Sequence, residues 1–124
     1  MPFISAADAP LFKIPGAHFI GLAAPSRGSR ENALWRVTLE PKTSAHPHRL
    51  TREEIFVVIA GNATAIVGDQ QYELHPGSAL VVPPHTEFSL TNSGNDCFEA
   101  VAVLPVGGEA IVGTDPPFTP PWAA

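Results

Sequence analysis

One cysteine, Cys97, stands in 124 residues, so no internal disulfide can form and stability must come from a packed core. Basic residues are scarce as well. Seven Lys and Arg face twelve Asp and Glu, for a formal net charge of -5, and none of the basic residues form a block. That balance speaks against nucleic acid and against an anionic membrane surface as partners. No apolar run approaches the length of a membrane span. The first residues, from Met1 to Asp8, lack the basic-then-apolar order of a secretion signal, and the chain reads as soluble and cytoplasmic. A helical period never lasts beyond a turn or two, and no segment repeats. A Gly-x-Ser-x-Gly elbow, a phosphate-binding glycine loop and a Cys-x-x-Cys pair are all missing, so those reaction classes have no support.

What is abundant is proline and glycine, fourteen and ten residues, in a chain that is 44% hydrophobic and only 15% charged. This is a globular composition cut into short extended pieces. Residues 33–40 alternate, with Trp35, Val37 and Leu39 on one face and Arg36, Thr38 and Glu40 on the other, which predicts a half-buried strand ended by Pro41. Further strands are expected over 18–24, 55–59, 63–67, 71–74, 79–82, 86–91 and 98–104, with a short pairing at 110–112. Residues 68–71 read as a hairpin turn. Residues 1–16 read as an irregular arm, and the proline-rich tail, 113–124, as an extended segment that cannot be helix. About eight short strands joined by tight turns predict one domain, an antiparallel sandwich or closed barrel.

The chemistry concentrates between Ala45 and Gly61. His46 and His48 flank Pro47, and Glu53 and Glu54 follow just before an apolar run. Residues two apart on an extended segment share a face, so the two imidazoles are expected to converge on one point, completed by a carboxylate from the next strand. Two histidines and one carboxylate form a ligand set for a divalent first-row metal that leaves other positions open. Register decides between the glutamates, and Glu54 is the inward choice. Glu53 then points to the other face as a solvated surface carboxylate.

With these landmarks the chain resembles a single-domain cupin, a small jelly-roll barrel, over residues 33–105. The first motif of that family is a His-x-His pair, a glutamate and, after six intervening residues, a glycine, and His46, His48, Glu54 and Gly61 match it. The gap from His48 to Glu54 is one residue longer than the motif allows. The second motif is met at Gly77, Pro83 and Asn92. It departs at His85, where a glycine is expected, and at Phe88, where a fourth ligand, a histidine, is expected. The resemblance implies a divalent metal (Fe, Mn, Zn or Ni) on His46, His48 and Glu54, in an enzyme of the isomerase, lyase or dioxygenase type acting on a small metabolite. The alternative is a metal-free cupin that binds a small ligand or serves as a sensory or accessory module, with Phe88 filling the ligand position.

Trp35, Phe56 and Phe88 are expected to line the barrel interior, as core or as the wall of a ligand pocket. His85 reads as an exposed turn residue, His18 and His75 as surface or satisfied core, and Cys97 as a buried, inert thiol. The apolar run 55–59, covered on both faces, together with the arm and the aromatic tail, points to a homodimer.

Overall fold

The chain breaks into strands wherever proline or glycine forbids continuation. The computed structural model describes residues 1–124 and holds twelve strands: β1 (Leu11–Ile14), β2 (Ala17–Ala23), β3 (Asn32–Leu39), β4 (Thr43–Ser44), β5 (Arg49–Leu50), β6 (Glu54–Ala60), β7 (Ala63–Val67), β8 (Gln70–Leu74), β9 (Ala79–Val82), β10 (Phe88–Asn92), β11 (Phe98–Pro105) and β12 (Ala110–Ile111). Two 3-10 turns, Pro25–Arg27 and Pro121–Ala123, are the only helical pieces. No helix is long and apolar enough to cross a membrane.

A six-stranded sheet runs in the order β1-β2-β3-β11-β6-β9, a four-stranded sheet in the order β4-β10-β7-β8, and β12 pairs with β5. Every strand pairing is antiparallel. This is an all-β jelly-roll barrel, and alternation along the strands fills it. In β11, Phe98, Ala100, Ala102 and Leu104 point inward, and in β3 Ala33, Trp35, Val37 and Leu39 do the same. They belong to one core of 21 buried residues, each large side chain contributing about 1.5–3 kcal/mol through its burial.

Gly61 shows why a glycine is needed where β6 hands over to β7. Its φ is +75°, and a side chain there would overlap the carbonyl of Cys97.

Several expectations need correction. Residues 11–14 of the arm are not irregular, because they pair with β2 as an edge strand. The hairpin turn is confined to Gly68 and Asp69, with Gln70 already in β8. The tail does hold one helical piece, since prolines at the start of a 3-10 turn give up no hydrogen bond. Trp122 of that turn stacks on Phe19 of β2, with ring centroids 3.6 Å apart, and Phe12 meets it edge-on at 6.4 Å. Arg27 locks the arrangement by donating to the carbonyls of Leu22 and Trp122. The aromatic tail thus covers its own barrel. Cys97 is exposed, not buried, because it precedes β11 by one residue and Phe98 takes the inward position.

Candidate functional site

Three strands bring the candidate residues to one part of the barrel. β6 begins at Glu54, opposite Val82 of β9. The segment leading into β5 carries His48, bridged to Phe88 at the start of β10. Glu54 is 4% exposed while Glu53 is exposed, so register resolves the adjacent glutamates as expected.

Glu54 is the unusual group. Its Oε1 is buried and has no hydrogen-bond partner. Burial pushes its carboxyl up to about 8, so at neutral pH most of it is the uncharged acid. His48 is half-buried, and its Nδ1–H donates to the carbonyl oxygen of His46 at 3.1 Å. A carbonyl can only accept, so Nδ1 carries the proton and Nε2 keeps its lone pair. Desolvation lowers the His48 pKa against the raising effect of that hydrogen bond, which keeps the imidazole neutral. The Phe88 ring lies 4.5 Å from the His48 ring and meets Phe56 edge-on at 5.8 Å. Trp35, Phe56 and Phe88 are 3%, 5% and 2% exposed and stand in the filled core. What gathers here is an uncharged acid, a neutral imidazole and aromatic rings.

His46 is not part of this group. Ser44 opposes Thr91 and His48 opposes Phe88, so one strand advances four residues while its partner retreats three. The extra residue is a β-bulge. The Ala45 N–H still bonds the Leu90 carbonyl at 2.9 Å, and that register sets His46 beside Ser89, on the outside of the sheet. Pro47 has no N–H to donate and suits the bulge. His48 then returns to the inner face. The expected convergence of the two imidazoles fails for this reason, since the same-face rule holds only along an unbroken register. No three of the chain's His, Cys, Asp and Glu side chains form a group able to hold a metal ion. The residues as arranged do not fit the ion that the resemblance implies.

His85 is exposed as expected, and its φ of +59° explains why a glycine belongs there. The left-handed conformation costs a non-glycine residue roughly 1–2 kcal/mol. The His85 N–H donates to the Leu50 carbonyl at 2.7 Å and ties the turn to β5. His75 is exposed and hydrogen-bonded to Asn62 through Nδ1 at 2.8 Å.

Two clefts lie elsewhere on the barrel. A cleft of about 540 Å³ runs between the free edges of β8 and β9, walled by Val67, Tyr72, Leu80, Val81 and Pro83 among others. It passes close to the buried acid, because Val82, between Val81 and Pro83, is the cross-strand partner of Glu54. A polar cleft of about 300 Å³ lies at the far end, beside Asn62, Thr64, Glu73 and Asp96. Sequence reasoning missed the first cleft because it is made by two edges that do not pair.

A family model described as "Cupin domain" matches residues 35–104. The chain is 33% identical over 60 residues to a 5-aminosalicylate 1,2-dioxygenase of a Comamonas species, covering 48% of this chain and 16% of that protein. It is 30% identical over 76 residues to auxin-binding protein 5 of Zea mays, covering 60% of this chain and 50% of that protein. The chain thus spans half or less of these curated relatives. Among solved structures it resembles the polyketide cyclase RemF of Streptomyces resistomycificus, with a TM-score of 0.76 and 18% identity over 85% of this chain and 79% of that one. KdgF from a Halomonas species superposes with a TM-score of 0.71 and 19% identity, covering 83% and 93% of the two chains.

Proposed function

This chain belongs to the cupin family, and from that premise we propose that it binds a small organic ligand in its barrel through the Glu54 carboxyl. The carrying observation is the buried, unpartnered Oε1 of Glu54. An orphaned polar group in an apolar interior costs about 1–3 kcal/mol, a cost removed when a partner arrives. As an acid, Glu54 donates to a carbonyl or similar oxygen, while the Nε2 lone pair of His48 accepts from a hydroxyl or amide. Phe88 and Phe56, packed edge-on against each other, give the polar pair an apolar surround. The same pair can hold and return a proton, which would make the site a general acid and base for isomerase or lyase chemistry. Relatives named for 5-aminosalicylate and for auxin are consistent with a small organic ligand.

Native mass spectrometry of the purified chain, followed by a thermal-shift screen of small carbonyl and carboxylate compounds, tests this reading. The expected result is a compound that raises the melting temperature of wild type and leaves Glu54→Leu unmoved. Equal shifts in both proteins would refute it.

The outer face of the large sheet supports a second copy as partner. Val57, Ile59 and Val81 are 46%, 46% and 52% exposed, and Val101 and Val103 lie beside them on the same face. Arg36 and Glu99, 3.6 Å apart on that face, can exchange partners across a twofold axis. Light scattering is expected to give a dimer, and Val57→Lys with Val81→Lys a folded monomer. A wild-type monomer at working concentrations would dispose of the idea.

A further inference from the structure

We infer that the barrel of this chain holds no metal ion, because two separate features take apart the ligand set that its family membership leads one to expect. The first is the bulge at Pro47. Turning His46 inward is not a matter of rotating a side chain, since its backbone position faces outward beside Ser89. The bulge itself would have to move toward Ser44, breaking the hydrogen bond from Ala45 to the Leu90 carbonyl. The second is Phe88. It is 2% exposed and packs on the rings of both His48 and Phe56, so the position of a fourth donor is filled by an apolar ring. Two donors remain, Nε2 of His48 and the Glu54 carboxyl. Zinc and iron centres that keep open positions for chemistry are held by three protein donors. Each feature removes one donor, and neither depends on the other. The longer spacing from His48 to Glu54 belongs to the same altered segment.

The ion content of the full chain tests the inference without reference to any activity. Wild type is incubated in turn with Zn(II), Mn(II), Ni(II) and, without oxygen, Fe(II), then dialysed and measured by elemental analysis. The expected content is far below one ion per chain for each metal, with a melting temperature indifferent to chelator. Content near one ion per chain for any of the four would overturn the inference. His46→Ala, a surface change, is expected to leave the residual uptake as it was. A drop in that variant would show His46 ligating and would also overturn it. A third protein, Phe88→His, puts a donor in place of the apolar ring and raises the inward set to three with His48 and Glu54, and is expected to gain about one ion per chain and a chelator-sensitive melting temperature. If it folds and gains nothing, the assigned cause is wrong. The ligand reading above is judged separately, by the thermal shift of wild type against Glu54→Leu in metal-free buffer.

Discussion

Asn92 and Glu54 are both polar and nearly free of solvent, at 1% and 4% exposure, yet the fold treats them in opposite ways. The Asn92 amide donates to the carbonyls of Leu39, Glu40 and Asp96 at 3.1, 3.2 and 2.9 Å, and its Oδ1 accepts from the Gly94 N–H at 3.1 Å. One side chain thereby sews the end of β10 to the end of β3 and to the following turn. Glu54, toward the other end of the barrel, has an oxygen with nothing to bond. A buried polar group with its partners filled is a structural rivet. One left unfilled lowers stability and persists where an interaction from outside the chain makes use of it.

The largest effect expected from this contrast is at Asn92. Asn92→Ala strips donors from carbonyls that water cannot easily reach and should destabilise the chain by about 2–4 kcal/mol, read from urea unfolding. A loss under about 1 kcal/mol would mean that water replaces the amide and that the rivet is ornamental. Glu54→Leu is expected to go the other way, raising stability by about 1–3 kcal/mol, because a similar volume is kept and an unmet polar group is removed. If Glu54→Leu destabilises instead, the carboxyl has a partner in the working protein, and the contrast between the two residues is gone.

Both residues were legible in the sequence, but unequally. Glu54 was chosen over Glu53 from strand register, and its burial follows from the same alternation that puts Phe56 and Val58 inside. Asn92 was visible only as a matching landmark. Its work depends on carbonyls about fifty residues away, which no local pattern reports. The long strands β3, β6 and β11 were readable because each buries one face against a core. The two-residue strands β4 and β5 were not, since so short a piece has no period to detect. The two-residue period does not carry across Pro47, where the bulge ends the register, and His46 falls outside for that reason. The aromatic tail was read as extended, but its landing place on Phe19 required the fold.

The smallest effect is also the most diagnostic. Glu54 ionises near 4.5 in the unfolded chain and at about 8 in the folded one, so between these values the folded state binds more protons. Stability therefore falls as pH rises through that window, by up to about 1.4 kcal/mol per unit, and levels off above it. His48 acts in the opposite sense. Its folded pKa lies below the ordinary 6.5, so the unfolded state binds more protons there and stability rises toward pH 6.5. In mildly acid solution the two slopes offset each other. Above pH 6.5 the contribution of His48 is spent and that of Glu54 remains, which makes the interval from 6.5 to 8 the place to look. Urea midpoints across that interval should decline in wild type and hold steady in Glu54→Gln, which keeps the shape of the side chain and cannot ionise. A decline of equal steepness in both proteins would place the titration elsewhere, and Glu54 would then be a carboxylate that already has its partner.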